Sequence, residues 1–323
     1  MPGVVLVTGG LGYLGSQLLH SAPGRLAGWT LRVFDNLATR GERALVDLPG
    51  GCRYEFVEGD VLDSGTLRYA LQGVSSVVHL AGVVRTPMSF EHPTWMRQVN
   101  TWGTAALVEA CVQTGVERLV YASTTAVYGP GGPFDETASP SPVGPYAASK
   151  RAAEQTVLGA GERGLATVVL RLGMLYGHAP CARYDGFVNR LLFQAGTGRA
   201  LTVYGSGTQR RPIVHVSDAA SAVLRALESD LPPGVYNAVE SNASVTDVVA
   251  AVKAVRPEVR ERFAEQDVLN HLSFLVDSER LRSRGWGPLW RLPDAVGPEL
   301  AHFVGLGPAT AGPHRSHSLE PLS

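Results

Sequence analysis

Short apolar runs alternating with stretches of helical spacing constrain this chain more than any other feature. Val4-Val5-Leu6-Val7 is too short for a helix and is ended by glycines. Leu31–Phe34, Tyr54–Val57, Val77–Leu80, Arg118–Tyr121 and Thr167–Leu170 follow in the same style. Runs of this length read as buried strands, and helical segments lie between most of them. Residues 12–21, for example, carry apolar positions at helical spacing and stop at Pro23-Gly24. Strand–helix alternation repeated along a chain predicts βαβ units with right-handed crossovers. The expected fold class is α/β, a doubly wound parallel sheet with both faces covered.

After Arg171 the rhythm breaks. Residues 173–212 read as glycine-rich and irregular, Ile213–Val216 as a strand, 217–229 as a helix, and 244–256 as a further helix opened by Ser244 or Thr246. Residues 305–323 lack apolar periodicity and read as a disordered tail. The 323 residues, 45% hydrophobic, suffice for one large domain or two smaller ones with a sizeable core. The 28 basic and 29 acidic side chains nearly cancel, so no overall charge draws the chain to nucleic acid or an anionic membrane. No apolar run reaches the roughly 20 residues that span a bilayer. The opening MPGVVLVTGG does not read as a signal peptide. Cys52, Cys111 and Cys181 are odd in number and far apart, which points to a reducing cytoplasm rather than a disulfide scaffold.

Thr8-Gly9-Gly10-Leu11-Gly12-Tyr13-Leu14-Gly15 directly follows the first run. Glycines at three-residue spacing suit a strand turning tightly into a helix. There the backbone approaches a pyrophosphate, and the helix N-terminus offers unpaired N–H groups. Asp35 closes the second run, 20 residues past Gly15. A carboxylate there accepts hydrogen bonds from ribose hydroxyls and repels a 2′-phosphate, favouring NAD over NADP. The other reading of Asp35 is a turn residue before Asn36, and Arg40 nearby leaves NADP open. Tyr146 and Lys150, four apart, share one helix face. A phenol is a poor base near neutral pH, but an adjacent ammonium and a positive nicotinamide both favour its phenolate. Ser123-Thr124-Thr125-Ala126 ends the fifth run, and ligands of a doubly wound sheet lie beyond the carboxyl ends of its strands. Both motifs therefore face one crevice. The expected organisation is a cofactor-binding domain over 1–172, joined again by about 213–242, with a smaller, interrupted substrate lobe mainly within 173–304.

The chain resembles the extended short-chain dehydrogenase/reductase family, in its NAD-dependent epimerase/dehydratase branch, from Val4 to about Phe303. Besides the glycine turn and Tyr146/Lys150, the resemblance rests on Gly59-Asp60-Val61-Leu62-Asp63, His79-Leu80-Ala81-Gly82 and Asn100 in Val99–Thr104. It extends to Tyr204–Pro212, Asp277 and Gly285–Pro288. It implies a Rossmann-type fold that holds NAD through Gly9, Gly12, Tyr13, Leu14, Gly15, Asp35 and Asn36. Asp60 and Val61 would meet the adenine, and Leu80, Ala81, Gly82 and Asn100 would lie beside the cofactor with Tyr146 and Lys150. It implies that Thr124, Tyr146 and Lys150 are catalytic. The tyrosine would take a proton from a sugar hydroxyl while hydride passes to NAD, Thr124 would bond the same oxygen, and Lys150 would position NAD and depress the tyrosine pKa. Thr125, Arg183, Asn189 and Arg211 are the candidate substrate contacts. A homodimer through the helices near 103–112 and 147–158 follows from the resemblance as well.

Dehydratases and decarboxylases of the family carry a carboxylate where this chain has Thr125-Ala126. Its absence leaves simple hydride chemistry, foremost epimerisation at C4 of a nucleotide-activated hexose or hexuronate. The alternatives are a ketoreductase or dehydrogenase that consumes NAD(P), and a nucleotide sensor without turnover. Two positions depart from the family: Gly173 stands where an asparagine is common, and Asn270–Phe274 has no clear second diphosphate arginine. No metal is expected, because His314 and His317 lack a Cys or acidic cluster. His79 and His215 read as packed histidines, and Cys181 as structural.

Overall fold

The computed structural model describes residues 3–84, 91–265 and 273–303. The expected tail, with His314 and His317, and positions 270–272 lie outside these residues. In chain order the first part comprises β1 (Val4–Thr8), α1 (Tyr13–Ser21), β2 (Thr30–Asp35), β3 (Arg53–Glu58), α2 (Ser64–Ala70), β4 (Ser76–His79) and α3 (Pro93–Arg97). A π-helical turn over Gln98–Gly103 leads into α4 (Thr104–Thr114), and β5 (Arg118–Thr124), β6 (Gly131–Phe134), α5 (Pro145–Gly159) and β7 (Ala166–Leu172) follow. The second part comprises β8 (Met174–Tyr176), α6 (Phe187–Gly196), β9 (Leu201–Tyr204), β10 (Arg210–His215), α7 (Val216–Leu227), β11 (Gly234–Ala238), β12 (Ser241–Ser244), α8 (Val245–Val255), β13 (Glu261–Ala264), β14 (Phe274–Val276), α9 (Glu279–Arg282) and α10 (Leu292–Ala301).

All six expected runs pair in parallel in one sheet, and a seventh strand joins them in the order β11-β7-β5-β4-β1-β2-β3. The fold is a Rossmann-type α/β fold. Side chains alternate across the sheet. Val5, Val7, Val78 and Val168 pack with Leu18 of α1 and Val223 of α7, while Leu6, Val77, Leu119 and Val169 pack with Leu107 of α4 and Val157 of α5. Each of these side chains contributes about 1.5–3 kcal/mol by leaving water. That explains why short, mainly apolar runs marked the inner strands, whereas β3 at the sheet edge is largely exposed.

The stretch expected to be irregular is ordered. α6 buries Val188, Leu191, Leu192 and Ala195, a helical stripe, against β9 and α8. Its glycine-rich flanks mask the periodicity in the sequence. Residues 213–242 divide between two sheets: α7 and β11 cover and extend the main sheet, whereas β10 lies between β8 and β12 in a three-stranded sheet. β11 was not legible as a strand because Gly234 and Asn237 dilute its short apolar run. Cys52, Cys111 and Cys181 are free thiols. No helix among the described residues is long and apolar enough to cross a membrane.

Of the two caps considered for the 244–256 helix, Ser244 holds the position. Its Oγ accepts from Asp247 N–H at 3.1 Å, and the Asp247 carboxylate accepts from Ser244 N–H at 2.9 Å, a reciprocal capping box. Ser244→Ala should lower stability by about 1 kcal/mol, read as a lower urea midpoint with unchanged slope.

Candidate active site

The turn from β1 into α1 opens between β1 and β4, where the chain's connections diverge. Gly12 precedes α1 and has no side chain to cap it, so the N–H groups of the first turn have no side-chain acceptor from that position. Gly9 has φ +68°, and a Cβ there would stand 2.5 Å from Ala81 N, so only glycine lets β1 pass this close to the exit of β4. A Cβ on Gly15 would stand 2.5 Å from the Gly10 carbonyl oxygen. Asp35, at the end of β2, accepts from Leu11 N–H at 3.1 Å on one carboxylate oxygen and from Leu37 N–H at 2.9 Å on the other. Burial raises its pKa and these backbone hydrogen bonds oppose the rise. Each oxygen retains a lone pair for a ribose hydroxyl. Asp60 accepts from Asn36 Nδ2 at 2.7 Å and from Leu62 N–H at 2.8 Å, and Val61 is buried beside it. A side-chain-free cradle at a helix N-terminus, with a carboxylate 20 residues on, fits a dinucleotide pyrophosphate and its adenosine ribose.

A buried chain of hydrogen bonds runs from this turn toward the catalytic candidates. Thr104 Oγ1 donates to Asn100 O at 2.7 Å, so His79 Nε2–H donates to Thr104 at 2.9 Å, and Thr8 Oγ1–H donates to His79 Nδ1 at 2.7 Å. One tautomer satisfies the whole chain. Burial, with the nearby Lys150 charge, holds the imidazole down to about 3, so it stays neutral. His215 is packed likewise, 3.0 Å from Glu299 and stacked on Trp290. Asn100, in the π-helical turn, accepts Val83 N–H at 2.7 Å and donates to Val83 O at 2.9 Å and to Ser149 Oγ at 3.0 Å. It thereby ties the segment after Gly82 to α5.

α5 presents Tyr146 and Lys150 one turn apart at the carboxyl edge of the sheet. Burial pushes the Tyr146 phenol up to about 12, while a hydrogen bond from Thr124 and the charge of Arg183 favour the phenolate. Thr124 Oγ1 also accepts Ala126 N–H at 3.2 Å. Lys150 is 4% exposed, its Nζ 4.4 Å from the centre of the Tyr121 ring, with no hydrogen bond or ion pair among the described residues. Burial pulls its ammonium down to about 7, and Glu154 opposes that. A Cβ on Gly82 would lie 3.9 Å from Lys150 Nζ, so the ammonium borders the cofactor cradle.

The remaining candidates are placed differently. Thr125 is buried and its hydroxyl donates to Leu172 O at 3.2 Å. Asn189 is 2% exposed; its Oδ1 accepts Gly177 N–H at 2.8 Å, and its Nδ2 donates to Tyr13 Oη at 3.0 Å and Arg183 O at 2.6 Å. Both Asn189 donors are thus used within the protein. The Tyr13 hydroxyl donates to Gly177 O, so this side chain ties α1 to the second lobe, and only its backbone faces the cradle. Arg183 pairs with Asp185, and Arg211 is half-buried on β10, where burial lowers its pKa. Gly173 replaces a common asparagine because a Cβ would stand 3.0 Å from the Ile213 backbone carbon. Glu154, which sequence reasoning missed, lies in a buried cluster with Arg171. Its spacing four residues past Lys150 was the available signal. Among the described residues no group of three or more His, Cys, Asp or Glu could hold a metal ion.

A model of the NAD dependent epimerase/dehydratase family matches residues 5–238. The chain belongs to that family. NAD is the family's cofactor, and the cradle around Gly9, Gly15 and Asp35 fits it. The chain is 32% identical to the UDP-glucose 4-epimerase of Azospirillum brasilense, over 88% of this chain and 87% of that protein. It is 29% identical to the dTDP-D-glucose 4,6-dehydratase of Mus musculus, over 88% of this chain and 84% of that protein. The solved Thermus thermophilus UDP-glucose 4-epimerase complex with NAD superposes with a TM-score of 0.81 at 30% identity, covering 94% of this chain and 99% of that one. Epimerases and dehydratases of nucleotide sugars both stand among its relatives.

Gly15→Ala should give a protein that purifies with little NAD, because the added carbon forces α1 from Gly10; acid release and quantitation of the dinucleotide checks this. His79 lends stability that is complete above its unfolded pKa of about 6.5 and is lost as pH falls toward 3. The slope from this group is up to roughly 1.4 kcal/mol per pH unit. Urea melts across that range should show a shallower slope in His79→Gln than in the parent.

Proposed function

We propose that this member of the family is an NAD-dependent 4-epimerase of a nucleotide-activated hexose or hexuronate, working in the cytoplasm as a homodimer. The observation that carries the reading is the Thr124–Tyr146 pair without a carboxylate at the two following positions. Thr125 spends its hydroxyl on Leu172 O and Ala126 has no functional group, while Glu154 is held by Arg171. Eliminating water from the neighbouring carbons needs an acid and a base beyond the tyrosine, whereas epimerisation needs one group that takes and returns the same proton. NAD, when bound, would supply the acceptor for a hydride from C4 and its return to the opposite face of the keto-sugar.

The chain's own residues do the rest. Tyr146, as phenolate, accepts the C4 hydroxyl proton, and Thr124 hydrogen-bonds the same oxygen and shares the proton. Lys150 would hold the nicotinamide ribose and keep positive charge beside the phenolate. Tyr121 and His79, both buried, wall the site from water. Arg211, half-buried on β10, is the diphosphate contact favoured here, since a planar guanidinium suits a bidentate grip on phosphate. Arg183, whose charge already bears on Tyr146, stands ready as a second contact at the site. Trp95 and Trp102, 42% and 58% exposed on the helical run into α4, support pairing of two chains there. Three free thiols suit a reducing compartment.

Incubation with UDP-glucose, UDP-glucuronate and dTDP-glucose without added cofactor, followed by NMR, should yield the C4 epimer of one of them. Loss of water would mark a dehydratase, and turnover only with consumption of NAD(P)H a reductase. Tyr146→Phe should lower kcat by roughly 10²–10⁴-fold while retaining bound NAD.

A further inference from the structure

Glu154 lies one helical turn beyond Lys150 on α5 and is 0% exposed. Its carboxylate is gripped from three elements. Oε1 accepts from Ser123 Oγ at 2.5 Å and Arg171 Nε at 3.0 Å, and Oε2 accepts from Arg171 Nη2 at 2.8 Å and Arg151 Nη1 at 3.1 Å. Arg171 is 2% exposed, and its guanidinium stacks 4.7 Å above the Tyr128 ring. Ser123 precedes Thr124 on β5 and Arg171 stands near the end of β7, so the cluster bolts α5 to both strands at the edge where the site opens. A buried ion pair does little for stability that an apolar pair of similar volume could not do, because desolvation offsets the attraction. Charge and direction are what an apolar pair lacks. α5 needs both, since it must aim two side chains and hold one of them charged in a dry interior.

We infer that Glu154 is a positioning residue: locked by Arg171 and Ser123, it fixes the rotation of α5 about its axis and supplies the negative charge that keeps Lys150 an ammonium. The inference rests on the reading of Lys150 as the cofactor-facing cation. The groups around that ammonium come from every element packed on it. α5 contributes Tyr146 and Glu154, with Arg151 turned to Glu154; β5 contributes Tyr121, β4 the neutral His79, and β7 Arg171. The π-helical turn contributes the uncharged Asn100. Of these, Glu154 is the group that raises the Lys150 pKa against burial.

Lys150 and Lys253 are the chain's two lysines, so protein made with isotope-labelled lysine shows two side-chain ammonium groups by NMR. Lys253, exposed and 2.6 Å from Glu261, serves as the internal reference. The NAD-loaded parent, Glu154→Gln and the double variant Glu154→Leu/Arg171→Met are titrated side by side. The double variant keeps the interior filled without leaving a lone charge buried, since Arg151, 28% exposed, reaches water once its partner is gone; it carries the test if Glu154→Gln does not fold. The Lys150 midpoint should fall by about one pH unit, a tenfold loss of proton affinity, with Lys253 unmoved. For a nucleotide sugar that the parent epimerises, kcat should fall roughly 10–100-fold with KM and NAD content little changed. The alkaline limb of kcat should move to lower pH. A double variant that melts like the parent and leaves the Lys150 midpoint unmoved overturns the inference. A parent that turns over no nucleotide sugar defeats the proposed function instead, and the Lys150 titration still reads the role of Glu154.

Discussion

β1 and β4 lie side by side, yet the chain continues from β1 toward β2 and β3 and from β4 toward β5, β7 and β11. Connections that leave neighbouring strands in opposite directions cannot cover the gap above them, so the sheet keeps a crevice at its carboxyl edge. The chemistry of the molecule gathers around that gap. Gly9 can approach Ala81 only because it has no side chain, and this contact sets the distance between the two walls. From there the Thr8–His79–Thr104 bonds pass through the sheet to Asn100, which in turn holds Ser149 on α5. The glycine turn and the helix bearing Tyr146 and Lys150 are thus parts of one hydrogen-bonded frame.

Burial dominates the electrostatics of this frame. It raises Tyr146 and Asp35, lowers Lys150 and holds His79 neutral, so in each case it opposes the charged form. An interior arranged in this way suits a ligand that brings complementary charge, as the proposed function requires. The ion pair of Glu154 with Arg171 is the exception, a buried acid and base that face each other within the protein. It is also the cluster that joins the helix bearing Tyr146 to the strand bearing Thr124.

Much of this was legible in the sequence. Short, mainly apolar runs located the six strands, because inner strands are covered on both faces; β3, at the sheet edge, carries Glu55 and stays largely exposed. The glycine spacing and Asp35 located the cradle, since both depend on residues close in sequence. Asn189 was not legible as the anchor of Tyr13, because the two are brought together only by the packing of the second lobe onto α1. Glu154 carried a helical spacing but no sign of Arg171, which arrives from a different strand. Residues 187–196 hid a helix among glycines, and Gly234–Ala238 hid a strand whose pairing with β7 supplies what its composition lacks.

By itself the sequence determined the class of fold, and it marked the glycine turn and the tyrosine–lysine spacing, all of which rest on local periodicity and short spacings. Only the tertiary structure decided which polar groups face the crevice and which are spent inside. Thr125, Asn189 and the Tyr13 hydroxyl turned inward, and Glu154 was drawn to Ser123 and Arg171. The physical reason is that a buried polar group must find its partner wherever the fold brings one, and those partners lie tens of residues away along the chain.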